Sequence, residues 1–171
     1  MGEFKMNTVQ ERHAIAEEFI EKVDSAAQYC PGAEVVVANG LEIPTTYKYV
    51  KAAANLTAYQ PYILVDNADG VTTASPATST VIKLVGIPQA NISANLYGWV
   101  AVKGVCKAKT GIQAKGDTLE VINSGTTLIV DGYSGSPAET ANTVAISCEA
   151  AAAAATVKVN LLGKRVAVAA S

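Results

Sequence analysis

The chain of 171 residues holds one histidine, one tryptophan, two phenylalanines and three cysteines, and only 16% of it is charged. Each scarcity excludes a class of function. His13 stands among charged residues with no Ser or Cys context, so no nucleophile–base pair can be assembled around it. A histidine metal site needs a second histidine or clustered cysteines, and neither is present. Cys30, Cys106 and Cys148 are odd in number and far apart, which fits neither metal-ligand spacing nor a secreted disulfide scaffold. They read as free thiols suited to a reducing compartment. Glu42, Glu120, Glu139 and Glu149 are scattered rather than paired, and no glycine-rich phosphate loop occurs. The net charge of −2 and pI near 5.4 leave no electrostatic footprint for nucleic acid. No apolar run approaches the roughly 18 residues of a membrane helix, and the N-terminus lacks the apolar core of a signal peptide. The expectation is a protein that is no enzyme, with no cofactor, no metal, no nucleic-acid partner and no membrane span.

What the chain does have is small apolar residues, chiefly Ala and Val, within a hydrophobic content of 50%. Its texture changes near residue 30. The stretch TVQERHAIAEEFIEKVDSAAQ, from Thr8 to Gln28, carries much of the acid and reads as a helix, with Thr8 and Glu11 in a capping-box pattern. Ile15, Phe19 and Val23 recur on one side of it, widened by Ala16 and Ile20. Pro31 and Gly32 then break the pattern. Residues 1–32 are therefore expected to form an N-terminal arm, helical or extended, with residues 1–5 compatible with a cloning remnant ahead of Met6. Ile15, Phe19, Ile20 and Val23 are its candidate partner-binding residues: they pack on the body or anchor in a groove of a neighbouring chain, and the solubilising Glu11, Glu17, Glu18 and Glu21 favour the neighbour.

Residues 33–171 read as a second unit, mainly β. Strands are predicted at AEVVVAN, TTYKYVKAA, YQPYILVDN, STVIKLVGI, LYGWVAVKGVCKAKT, DTLEVI, TTLIVDGY, NTVAISCEA and ATVKVNLLG. Turn pairs such as Asp69-Gly70, Gly116-Asp117 and Ser124-Gly125 separate several of them. Many short strands without intervening helical periods predict an antiparallel β-barrel or sandwich. Ala150–Ala155 is compatible with a helical turn, but its β-like flanks favour two strands joined by small residues. Thr72–Thr80 reads as a polar connection, and Asp66 and Asp69 as a hairpin turn rather than a calcium loop. Tyr47, Tyr49, Tyr59, Tyr62 and Tyr97 suit interfaces and barrel rims, with too few lysines nearby for a nucleic-acid groove. In LYGWVAVKG, Gly98 marks a bulge or a close approach, and Trp99 packs beside it in the core or at a subunit seam.

Two longer stretches carry a resemblance. GLEIPTTYKYVKAAANLTAYQPYILVDNADG and VIKLVGIPQANISANLYGWVAVKGVCKAK, with the closing TVKVNLLG, resemble framework segments of small bacteriophage capsid decoration (cement) proteins, from Gly40 to Leu162. The resemblance implies a structural virion protein that binds the outer surface of the capsid. There it would bridge neighbouring major capsid protein subunits, as a homotrimer assembled in the host cytoplasm. The competing expectation is another virion structural or adhesive β-protein: a head fibre, a tail component or a carbohydrate-binding module. An exposed row of aromatic side chains with convergent polar groups would favour the last.

Overall fold

A computed structural model describes residues 19–38, 42–68, 70–76, 79–122, 124–130 and 142–168. They form eleven strands: β1 (Glu34–Val37), β2 (Thr45–Lys51), β3 (Tyr62–Asn67), β4 (Gly70–Ala74), β5 (Ser79–Pro88), β6 (Tyr97–Thr110), β7 (Thr118–Glu120), β8 (Ile129–Val130), β9 (Thr143–Ser147), β10 (Ala155–Leu161) and β11 (Arg165–Val168). The predicted mainly β barrel is what the chain builds.

The ring of strands β2, β4, β3, β5 and the first half of β6 closes because β6 also pairs with β2. Chain direction must return to itself around a closed ring, so the number of antiparallel contacts must be even. Five strands therefore require a parallel pair, and β2 and β4 supply it at Lys51↔Thr72. Val50, Leu64, Val71, Leu84 and the pair Val100 and Val102 come from the five strands and form one apolar cluster, the filling of this barrel. It is narrow: a Cβ on Gly86 would stand 2.8 Å from Val100 Cγ2 and 3.0 Å from Leu64 Cδ2.

β6 then leaves this barrel and starts another. At Gly104 φ is +87°, and an added Cβ would lie 2.0 Å from the Pro44 carbonyl oxygen, so only glycine fits the crossing. Beyond it β6 pairs with β10, β10 with β9, β9 with β7 and β7 with β8, all antiparallel. A parallel bridge, Thr110↔Leu128, brings the segment entering β8 back to β6. This second ring obeys the same parity rule. Cys106, Ala108, Leu119, Val121, Leu128, Ala145, Val157, Val159 and Leu161 belong to a continuous apolar cluster that runs on to the outer face of the first ring. β11 returns to pair with β5, tying the rings together.

The rings repeat one another in register. Pro88↔Val100 and Ile87↔Ala101 between β5 and β6 recur as Ser147↔Val159 and Ile146↔Asn160 between β9 and β10, with every position fifty-nine residues later. A shorter repeat lies inside the first ring: Tyr49↔Trp99 and Lys48↔Val100 match Val85↔Ile63 and Leu84↔Leu64 when β2 and β3 are moved thirty-six residues onto β5 and β6. The connections obey it too. Leu56 and Ile92 exchange backbone hydrogen bonds of 2.8 and 3.0 Å. The N–H of Ala58 donates to Asn91 Oδ1 and the N–H of Ala94 to Asn55 Oδ1, both at 2.8 Å. Tyr59 and Asn95 hold left-handed φ of 67° and 66° at matching places.

Several local expectations differ from the structure. The predicted helix does not extend to Gln28: among the described residues only Phe19–Glu21 are helical, and Asp24 forms a β-bridge with Tyr97. Tertiary hydrogen bonding has overridden a periodic pattern there. The capping residues Thr8 and Glu11 lie outside the described residues. The polar connection at Thr72–Thr80 is part strand, because ring closure needs β4, and Thr73 is 2% exposed within it. β11 lies beyond the last strand that the sequence pattern predicts. Ala150–Ala155 contains no helix, as its β-like flanks favour.

Candidate functional site

The largest concentration of aromatic side chains lies on the outer face of the first ring, built by β2, β6 and the segment before β1. Alternation along β2 and β6 puts Tyr49 and Trp99 on the same outward face, directly opposite one another. Their ring centroids are 5.0 Å apart, and Tyr97 stacks on Tyr49 at 6.0 Å. Phe19 and Tyr29 complete the group at 5.2 and 5.3 Å from Trp99. Lys51 Nζ lies 5.9 Å above the Tyr97 ring.

A buried carboxylate sits at the edge of this cluster. Tyr49 Oη donates to Asp24 Oδ2 at 2.8 Å and accepts from the Gln28 N–H at 3.2 Å. Asp24 is 8% exposed, and its backbone N–H and C=O both bond to Tyr97 at 2.9 Å. Burial pushes the Tyr49 hydroxyl up to about 12, with the Asp24 charge acting in the same direction and the Gln28 N–H opposing it. A phenol held neutral is a donor, and its task here is to hold Asp24. The arrangement is an anchor for the N-terminal segment.

The described candidate residues of the arm, Phe19, Ile20 and Val23, flank this anchor. Ile20 is buried in the main cluster, and Phe19 packs against it. Val23 packs on Ala52, Leu56, Tyr62 and Ile92 at the barrel mouth. Ile15 lies outside the described residues, as does His13. In this conformation the three described members of the stripe face the protein's own body.

Trp99 is 4% exposed and belongs to the core. Gly98 marks a close approach: a Cβ there would stand 2.6 Å from Ile92 Cδ1. Of the five aromatic residues only Tyr29 is strongly exposed, so the described residues present no open aromatic row for a sugar. Cys30, Cys106 and Cys148 are free thiols, and burial pushes the Cys106 thiol up strongly. Among the described residues no group of three His, Cys, Asp or Glu side chains is placed to hold a metal ion, and no helix is long and apolar enough to cross a membrane. Asp66 pairs with Arg165 at 3.4 Å.

Sequence reasoning missed the two features that organise this region. The repeat A-N-[L/I]-[S/T]-A at Ala54–Ala58 and Ala90–Ala94 was visible as a motif and predicts the paired connections. The Asp24–Tyr49 bond had no comparable signal.

No family model matches the chain, and no curated protein matches it. Among solved structures, the fold is similar to the head fiber gp8.5 N base in bacteriophage phi29, with 12% identity over 71% of this chain and 98% of that one, at a TM-score of 0.48. A likeness at that level says nothing of function.

Proposed function

We propose that the protein is a structural component of a bacteriophage virion that binds the exterior of the capsid as a trimer and bridges neighbouring major capsid protein subunits. One observation carries the reading. The two long segments that resemble cement-protein framework, beginning at Gly40 and Val81, are the segments whose β2–β3 and β5–β6 portions build the first ring and its paired connections. Framework residues are conspicuous in the fold, and Tyr49, Asn55 and Asn91 among the polar side chains serve to anchor its segments. Adhesion repeated over many symmetric copies on a shell needs only modest affinity at each one.

The test is to mix the purified full chain with expanded capsids lacking decoration. Co-sedimentation in fixed stoichiometry and a raised capsid melting temperature are the expected results. Capsids that neither retain the protein nor gain stability would overturn the reading.

A further inference from the structure

The repeat of the two rings exposes a strand edge that is filled in one and, among the described residues, open in the other. In the first ring Tyr97 lies opposite Lys51, and its N–H and C=O bond to Asp24 on the far side. The register shared by β5–β6 and β9–β10 puts Thr156 in the place of Tyr97, and Thr156 lies opposite Lys109. The N–H of Lys109 donates to the Tyr59 carbonyl and its C=O accepts from Leu128, both away from β10. Thr156↔Lys109 is therefore a non-hydrogen-bonded pair of the antiparallel ladder. The N–H and C=O of Thr156 consequently point outward, past the end of β9, whose pairing with β10 begins only at Ser147↔Val159. Among the described residues nothing bonds to them. Thr156 is exposed and borders a shallow cleft of about 180 Å³ lined by Lys109, Thr110, Thr127, Ala154 and Ala155.

The side chains around this edge state what fits it. At the filled edge the Asp24 carboxylate takes the Tyr49 hydroxyl. The opposed pair Tyr49↔Trp99 is replaced in the second ring by Lys107↔Lys158. Lys158 is already held by Glu42, and its N–H by the Glu149 carboxylate. Lys107, exposed, and Lys109, half-buried, remain to meet a carboxylate at the Asp24 position. We propose that the Thr156 edge of β10 is a docking site for an extended acidic segment of a partner protein, added as a short antiparallel strand with a carboxylate facing Lys107. In a second copy of this chain the Asp24 segment is held on that copy's own first ring, so that segment is not the occupant. β-Strand addition of this kind takes affinity from main-chain bonds and selectivity from alternate side chains.

Amide hydrogen exchange on the full chain, with the capped peptide Glu-Val-Asp-Val-Glu as probe, tests the site. In the free protein the Tyr97 amide is protected and the Thr156 amide exchanges freely. Saturating peptide slows the Thr156 amide and shifts the signals of Ala154–Val157, Lys107 and Lys109. Lys107→Glu with Lys109→Glu weakens binding by roughly tenfold or more, as loss of charge complementarity demands. Thr156→Pro removes a donor that no described residue uses and abolishes binding with the fold intact, since proline is tolerated on an outward-facing edge. A Thr156 amide protected in the free protein, spectra unmoved at millimolar peptide, or binding that survives Thr156→Pro each overturns the proposal. Self-association abolished by Thr156→Pro overturns it too, by making a second copy the occupant.

Discussion

The two rings share a strand, an order of connections and a hydrogen-bond register, yet they are filled differently. The mouth of the first is closed by Leu56 and Ile92, which exchange backbone bonds; the second has Gln113 and Ala151 in the same exchange, at 3.0 and 2.9 Å. Where the first has Ile92 above Gly98, the second has Ala151 and Val157 at the matching places. Volume removed from the loop has returned in the strand. The outer faces diverge further, from Tyr49 and Trp99 to Lys107 and Lys158. Backbone register thus persists while side chains are exchanged, because main-chain bonds do not depend on which residue makes them, whereas packing volume must be conserved locally.

The largest expected effect tests that exchange of volume. Gly98→Val drives a branched side chain into Ile92 and should cost about 2–3 kcal/mol. Ile92→Ala alone should cost about 2–4 kcal/mol. Together they recreate the second ring's pair, and denaturant melts should show a joint cost below the sum by about 1 kcal/mol or more. Strict additivity would mean that the two mouths are not equivalent.

The next effect separates the outer faces. The unfolded tyrosine titrates near 10 and the folded Tyr49 at about 12. An acid whose folded value is raised contributes stability that is present below pH 10 and lost as pH rises towards 12. The shift corresponds to roughly 2–3 kcal/mol. Tyr49→Phe keeps the ring, removes this alkaline loss, and near neutral pH costs about 1–2 kcal/mol by taking the donor from Asp24 Oδ2, while Lys22 stays 3.5 Å from Oδ1. Stability curves for the two proteins that stay parallel from pH 9 to pH 12 would show that Tyr49 does not carry the alkaline loss.

The smallest concerns the second mouth. Gln113 Oε1 is buried without a hydrogen-bond partner, while its Nε2 reaches the Glu149 carbonyl only at 3.5 Å. Gln113→Leu, which installs the residue found at Leu56, should stabilise the protein by about 1 kcal/mol and raise its melting temperature by about 2–4 °C. A lower melting temperature would indicate that the amide is satisfied in solution.

Much of this fold was legible beforehand. β2, β3, β6, β9 and β10 all fall within segments whose alternation and β-branched content predict strands, β5 overruns its segment by Pro88 alone, and Gly116-Asp117 marks its turn. β4 was hidden because GVTTA is short and polar, and β11 because RVAV is short and begins within the charged pair Lys164-Arg165. The pattern of Phe19, Ile20 and Val23 marks an apolar stripe, but periodicity cannot say that it meets the protein's own body.

The sequence by itself determined that the chain is β-rich, where most strands run, and that Gly98 and Trp99 sit at a crowded place. These follow from local preferences and the two-residue period of a strand, which act within a few residues. Only the tertiary structure decided that β6 serves two rings, that Asp24 pairs with Tyr97 rather than continuing a helix, and that, among the described residues, Thr156 is left open where Tyr97 is covered. Those outcomes depend on which strands become neighbours. Neighbours are chosen by ring closure and by the space left at Gly98 and Gly104, conditions that join residues far apart in the chain.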